Sequence, residues 1–297
     1  MKIYIDGQYF DKDDAKVSVF DHGVLYGDGI FEGIRAYNGR VFKLEQHLRR
    51  LQESAASILL DLPLPLKKIE EALLETIRQN GLKDAYIRLV VTRGVGDLGL
   101  DMRKCKAGPT LFIIADKIEL YPEAYYEKGL ELVTSTFRQK GADQLTPSVK
   151  SLNYLPNILA RAEATRVGAQ EAILLNGEGY VTECTGDNLF LVRDGRIYTP
   201  PTHAGILEGV TREVAIELAR DRMGLEVVEE MFTRFEVYRA QEVFLTGTGA
   251  EVVPAVKVDG RAIGTGHPGP VTRKLISVFR EYARSTGTAI YEEAKVK

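Results

Sequence analysis

Three side chains in the middle of the sequence have the types needed for amine chemistry. Lys150 lies in the stretch Thr146-Pro147-Ser148-Val149-Lys150-Ser151-Leu152-Asn153-Tyr154, beside a proline turn. Tyr154 follows four residues later, and Glu183 lies in Tyr180-Val181-Thr182-Glu183-Cys184-Thr185-Gly186-Asp187-Asn188-Leu189-Phe190. A lysine amine condenses with a carbonyl to a Schiff base, and a phenol and a carboxylate can tune a ring carried on that lysine. One residue among 39 lysines and arginines carries little weight by itself. Lysines are mostly exposed, so composition alone makes Lys150 a solvated loop residue.

Two further motifs could hold an anion. Leu207-Glu208-Gly209-Val210-Thr211-Arg212 opens a predicted helix, and the N–H groups and dipole of a helix N-terminus suit a phosphate. Thr246-Gly247-Thr248-Gly249-Ala250 follows the predicted strand Glu242–Leu245 and offers hydroxyls and amides at a strand end. Taken alone, each reads more readily as a capped helix or a tight turn than as an anion site. The GxxxxGK[ST] phosphate loop is missing, as is a GxGxxG entering a helix after the first strand, which disfavours a nicotinamide dehydrogenase. Cys105 and Cys184 form no CxxC pair, and the four histidines have no zinc-site spacing, so neither a metal site nor a disulfide framework is expected.

These residues must be positioned by an α+β chain. At 297 residues, 44% apolar and 27% charged, the chain is of soluble globular type and long enough for about two domains. A net charge of -3 gives no footprint for nucleic acid. No apolar run approaches the ~18 residues of a membrane span, and the N-terminus lacks the apolar core of a secretion signal, so a cytoplasmic location is expected. Strands are predicted at 1–10, 15–20, Gly33–Tyr37, Arg40–Lys43, Ala85–Thr92 and Thr110–Ala115, with Asn38-Gly39 as a hairpin turn. Helices are predicted over Leu44–Leu60 and Leu66–Asn80 from their apolar periodicity. The later half alternates strands (Leu130–Phe137, Glu171–Asn176, Tyr180–Glu183, Asn188–Val192, Arg196–Thr199) with helices at Asn153–Val167, Val210–Met223 and Pro270–Ser285. The expected division is a small N-terminal domain over 1–119, a linker over 120–126 and a larger domain over 127–297, with the glycine-rich loop 93–101 a candidate functional segment.

Six segments then converge: Tyr26-Gly27-Asp28-Gly29-Ile30-Phe31-Glu32-Gly33-Ile34-Arg35, His47-Leu48-Arg49-Arg50-Leu51, Lys150-Ser151-Leu152-Asn153-Tyr154, Glu183 to Phe190, Leu207 to Arg212, and Thr246 to Glu251. In this order they resemble the fold-type-IV pyridoxal phosphate aminotransferases, with the branched-chain amino acid aminotransferases as the nearest match. The likeness runs from about residue 1 to 280. It implies a small N-terminal α/β domain and a larger β-barrel-like C-terminal domain with flanking helices, with pyridoxal 5′-phosphate as cofactor.

The resemblance also implies roles. Lys150 would carry the cofactor and act as the base, Glu183 would face the pyridine nitrogen, and Tyr154 would hydrogen-bond the ring O3′. Arg50 would pair with the phosphate, together with Leu207, Val210, Thr211 and Thr248. Gly249 and Ala250 would hold the substrate α-carboxylate. Phe31, Tyr86 and Tyr26, the last from a second subunit, would line an apolar pocket, and Arg88 would meet the distal carboxylate of glutamate. The implied reaction moves the amino group of L-Leu, L-Ile or L-Val to 2-oxoglutarate in a homodimer or assembly of dimers. The Lys-Ser-Leu-Asn-Tyr form is shared with D-amino acid aminotransferases, which keeps D-amino acid and R-selective amine transaminases, and aminodeoxychorismate lyase, as alternatives. A pyridoxal phosphate-binding protein without catalysis is the alternative from another class.

Overall fold

The computed structural model describes residues 1–118 and 121–291, and these form two compact units. The first comprises Met1–Ile118, Val149–Asn153 and the stretch from Ala283 onward, and the second Glu119–Ser148 and Tyr154–Tyr282.

In the first unit the chain runs through β1 (Lys2–Ile5), β2 (Gln8–Asp11), α1 (His22–Tyr26), β3 (Gly29–Tyr37), β4 (Arg40–Val41), α2 (Leu44–Ser57), α3 (Leu66–Gln79), β5 (Ala85–Thr92) and β6 (Thr110–Asp116). The sheet is antiparallel, and β3 and β5 pair over eight residues, Gly29↔Thr92 to Ala36↔Ala85. Alternation along β3 sorts its side chains. Ile30 and Ile34 enter a core with Leu48, Leu51, Ile69, Leu73 and Ile77 from α2 and α3. Glu32 shares that parity and therefore lies under α2, whereas Phe31, Gly33 and Arg35 take the other face with Val90, Arg88 and Tyr86. Asn38 and Gly39 have φ of 49° and 78°, the left-handed pair that a two-residue hairpin requires.

In the second unit follow α4 (Ala124–Lys128), β7 (Leu130–Arg138), α5 (Leu155–Arg166), β8 (Glu171–Leu175), β9 (Val181–Cys184), β10 (Asn188–Arg193), β11 (Arg196–Thr199), α6 (Val210–Asp221), β12 (Val227–Glu229), α7 (Arg234–Arg239), β13 (Glu242–Gly247), β14 (Glu251–Val258), β15 (Arg261–Ala262) and α8 (Pro270–Ser285). β16 (Thr288–Ala289) then joins β4 at the edge of the first sheet. The order β10-β13-β14-β7-β8-β9 is closed by pairing of β10 with β9, giving a six-stranded barrel. Leu189, Leu191, Val243, Leu245 and Val253 belong to one buried cluster. Alternation sends Phe190 and Phe244 to the opposite face, where their rings stack at 4.8 Å and 6°, and α6 packs on β13 and β14. The chain is thus of α+β class, with an α/β unit and a barrel unit flanked by helices.

Several expectations shift. No strand forms over 15–20. The helix predicted from Asn153 begins at Leu155, with Pro156 in its first turn, where the missing N–H costs nothing. The expected linker contains most of a short helix, Ala124–Lys128, while residue 120 lies outside the described residues. Helix α7 lies outside the predicted elements, although Thr233-Arg234-Phe235-Glu236 forms a capping box that its sequence spells out. Pro254 conceals strand β14 from a reading of the sequence. β14 pairs with β7 only from Ala255 onward, so no N–H is required of the proline on that side.

The division also differs from 1–119 and 127–297, because Val149–Asn153 clusters with the first unit. Phe31 N donates to Lys150 O at 3.0 Å and Leu152 N to Gly29 O at 2.9 Å. Lys150 N donates to Ser54 Oγ at 3.2 Å.

Truncating one ring of the Phe190–Phe244 stack should be costly. Phe244→Ala is expected to lower unfolding free energy by about 3–5 kcal/mol, as for other large-to-alanine core changes, measured by denaturant unfolding. A loss below about 1 kcal/mol would show that the stack is dispensable.

Candidate active site

In the first unit, Lys150 is half-buried, and its backbone is fixed by the pairing with β3. Its Nζ stands 4.6 Å from the centroid of the Phe31 ring. The Arg88 guanidinium lies 4.4 Å from the same centroid and donates to the Tyr86 hydroxyl at 3.1 Å. Phe31, Tyr86, Arg88 and Lys150 are therefore brought together, two cations against one aromatic ring. Gly33 is required here by closeness, since a Cβ would collide with the Tyr86 hydroxyl. Tyr26 is partly exposed at the end of α1, and its hydroxyl accepts from Gly99 N at 2.8 Å. That contact ties α1 to the 93–101 loop.

Beneath this face lies a cluster whose members stand in the sequence motifs without an evident shared role. Glu32, fully buried on β3, accepts from Arg50 Nε and Nη2, each at 2.7 Å, in a bidentate fork. His47 Nδ1 is 2.8 Å from Glu32 Oε2. Burial alone would raise the Glu32 carboxyl, but the charge and hydrogen bonds of Arg50, with His47, outweigh it and draw it down to about 2. Burial lowers His47 against the pull of Glu32, so His47 is neutral and donates Nδ1–H to the ionised carboxylate. Arg50, expected on a phosphate, thus has two nitrogens committed to Glu32. A guanidinium has five N–H donors, so the fork uses only part of its capacity.

In the second unit, Glu183 on β9 is buried, and amide donors hold its carboxylate. Gln139 Nε2 donates to Oε1 at 2.7 Å, and Asn188 Nδ2 and Leu207 N donate to Oε2 at 3.2 and 3.0 Å. Hydrogen bonds to a carboxylate favour its charged form, and these three donors are neutral. The Leu207 amide therefore supports Glu183. Glu183 pairs with Asn188, and Asn188 with Thr246. All three side chains share the face of Phe190 and Phe244. The Thr246 hydroxyl is buried without a hydrogen-bond partner among the described residues.

Val210 and Thr211 are the first residues of α6, whose N-cap, Gly209, provides no side-chain cap. Arg212, in the same motif, instead donates to Pro200 O and to Glu229 Oε2, at 2.9 and 2.6 Å. Thr248, Gly249 and Ala250 form the tight turn between β13 and β14, with the Ala250 carbonyl accepting from the Tyr126 hydroxyl at 3.0 Å. Tyr154 is the half-buried N-cap residue of α5.

Sequence reasoning misses Gln139, a neutral donor outside every motif, and assigns no role to Glu32 or Thr246, although both lie within the motifs. Asn188 and His47 are visible only as motif letters. Among the described residues, no group of three or more His, Cys, Asp or Glu could hold a metal ion, and no helix is long and apolar enough to cross a membrane.

The family described as amino-transferase class IV matches residues 29–258. A protein of Methanocaldococcus jannaschii that carries a provisional branched-chain-amino-acid aminotransferase name is 50% identical over 293 residues, covering 99% of this chain and 100% of its own. The branched-chain-amino-acid aminotransferase of Escherichia coli K12 is 36% identical over 288 residues, covering 93% and 91%. The crystal structure of the T.th. branched-chain amino acid aminotransferase with pyridoxamine 5′-phosphate superposes with a TM-score of 0.91 at 38% identity, covering 96% of this chain and 94% of that one. The same enzyme has been solved with N-(5′-phosphopyridoxyl)-L-glutamate and with 4-methylvaleric acid. A matching family model over most of the chain, joined to a closed barrel and a lysine held on β3, defines the class: this chain belongs to the class IV amino-transferases.

The Glu32 cluster makes stability pH-dependent with a fixed sign. Both folded values lie below the ordinary ones, 4.5 for Glu32 and 6.5 for His47. Their stabilisation is thus present above the unfolded values and lost as pH falls. Stability is expected to decline below pH 6.5 as His47 is forced to charge, and again between pH 4.5 and about 2 as Glu32 protonates. The second step is worth about 3 kcal/mol. Glu32→Gln should cost about 3–5 kcal/mol at pH 7, because it leaves Arg50 buried without its counter-charge, and should flatten the acid limb. Thermal unfolding across pH 2–8 checks both; an unchanged acid limb in the variant would reject the assignment.

Proposed function

We infer that this chain is a branched-chain amino acid aminotransferase that uses pyridoxal 5′-phosphate. It moves the amino group of L-Leu, L-Ile or L-Val to 2-oxoglutarate, giving the branched 2-oxo acid and L-glutamate. The observation that carries the substrate reading is the Phe31–Tyr86–Arg88 group, where one guanidinium lies against two aromatic rings. Such a surface serves an apolar side chain through its rings and an acidic one through its cation. The residues also fit the cofactor. A half-buried lysine amine, a carboxylate held by three neutral donors, a helix N-terminus with no side-chain cap and an orphaned buried hydroxyl supply what a phosphorylated pyridine aldehyde requires.

When bound, pyridoxal phosphate contributes the carbonyl that receives the amino group and a ring that draws electrons from the substrate Cα. Lys150 would hold the cofactor through its amine and, once free, would carry the proton between the substrate Cα and C4′ as a general base and acid. Glu183 would face the ring nitrogen and, as a carboxylate, would favour its protonated form by opposite charge. Tyr154 would hydrogen-bond the ring O3′. Arg50, oriented by Glu32, would serve the phosphate, as would the Val210 and Thr211 amides and the Thr248 hydroxyl. Gly249 and Ala250 receive the substrate α-carboxylate.

The assembly proposed is a homodimer or a group of dimers in the cytoplasm. Val19, Phe20 and Val24 are exposed beside Leu98 and Leu100, on segments joined by hydrogen bonds such as Gly96 N to Phe20 O. Adjoining apolar exposure of this kind marks an interaction surface, and Tyr26 lies within it.

Lys150→Ala is expected to abolish turnover with L-leucine and 2-oxoglutarate while the fold persists; near-normal turnover would overturn the mechanism. Initial-rate plots should be parallel, as a ping-pong exchange demands, and L-leucine should be consumed where D-alanine is not. Light scattering should give at least twice the monomer mass, and Phe20→Asp should reduce it. A monomeric wild type would reject the shared pocket.

A further inference from the structure

The side chain of Asn188 touches two places in the second unit that the proposed function uses separately. Its Nδ2 donates to Glu183 Oε2 at 3.2 Å and to Leu207 O at 3.0 Å. Its Oδ1 occupies the place where a Cβ on Gly209 would stand. Gly209 has φ -71° and ψ 126°, which any residue can adopt, so backbone freedom does not explain the glycine. Closeness to Asn188 does. Gly209 is the N-cap of α6, and Leu207 gives its own amide to Glu183. One amide side chain thus fills the space between a buried carboxylate on β9 and the turn that starts a helix. Its own place is set on both sides by strand register, opposite Glu183 on β9 and Thr246 on β13.

We propose that Asn188 is a positioning residue that sets the distance between the two ends of the cofactor site. The carboxylate that takes the ring nitrogen and the α6 N-terminus that takes the phosphate are held against the same side chain. This rests on the reading of Glu183 as the ring-nitrogen partner. Asn188 touches neither the cofactor nor the substrate in this scheme; it acts through Glu183 and through Gly209. Gly209 is the matching half, because only a residue without a Cβ lets the helix start close against the amide. Removing either partner should loosen both ends together, whereas removing Glu183 should loosen one.

The test compares the full-length wild-type chain with Glu183→Gln, Asn188→Ala and Gly209→Ala, all freed of cofactor. Two probes are titrated separately: pyridoxal, which has the ring without the phosphate, and inorganic phosphate. Glu183→Gln should weaken pyridoxal about tenfold, the worth of roughly one hydrogen bond to a charged group, and leave phosphate within about twofold. Asn188→Ala should weaken both probes, each by about tenfold, on the same scale. Gly209→Ala should do likewise, and it carries the comparison should Asn188→Ala fail to fold by circular dichroism. Phosphate affinity unchanged in a folded Asn188→Ala or Gly209→Ala protein overturns the proposal. Pyridoxal affinity unchanged in Glu183→Gln instead removes the reading beneath it, whatever the other variants do. As a separate check on the holoenzyme, the pH titration of the cofactor's absorption should shift in Asn188→Ala, as it does not when a residue serves packing alone.

Discussion

An ionised carboxylate below a protein surface has to recover from the protein the hydrogen bonds it loses from water, and the chemistry proposed for this chain hangs on that requirement being met at Glu183. Gln139 from the end of β7, Asn188 from β10 and the Leu207 amide from the turn before α6 all donate to its carboxylate. Their neutrality matters. Neutral amides hold a carboxylate without offsetting its charge as a guanidinium fork does. Glu32 in the other unit is the contrast. There Arg50 supplies the fork, the carboxyl is drawn to about 2, and the charge is used to orient an arginine.

The two solutions suit two tasks. Glu32 is fully buried on the core side of β3, so only a strong bidentate pair can repay its desolvation. His47 completes it as a neutral donor, and burial keeps that histidine uncharged. The result fixes α2 on β3, and with it the ridge from which Arg50 projects. On the opposite face of the same strand, alternation presents Phe31 and Gly33 to Arg88 and Tyr86. A single nine-residue strand therefore carries a buried ion pair on one side and an aromatic, cationic surface on the other.

Register does comparable work in the barrel. Glu183, Asn188 and Thr246 lie side by side only because β9, β10 and β13 pair as they do. A shift of one residue in β10 would send Asn188 into the barrel cluster and bring Leu189 to the site face. Closure of the barrel by the β9–β10 pairing is what makes such a shift hard to accommodate. The proposed cofactor residues thus inherit their precision from strands whose main task is to bury Leu189, Leu191, Val243 and Leu245.

Sequence by itself determined the class, because six motifs in order are a chemical inventory that survives without coordinates, and it determined α2, α3, α8 and the Asn38-Gly39 hairpin, because periodicity and turn residues are local. It could single out Lys150, Tyr154 and Glu183 by type. Tertiary structure alone decided that Val149–Asn153 belongs with β3, since backbone hydrogen bonds from Phe31 to Lys150 join residues more than 100 positions apart. It also decided that Arg50 pairs with Glu32, that Gln139 donates to Glu183, and that Gly209 is a glycine for the sake of Asn188. The physical reason is common to all four. Burial, hydrogen-bond satisfaction and close approach are properties of pairs of residues distant in sequence, and a residue type read in its own neighbourhood does not reveal its partner.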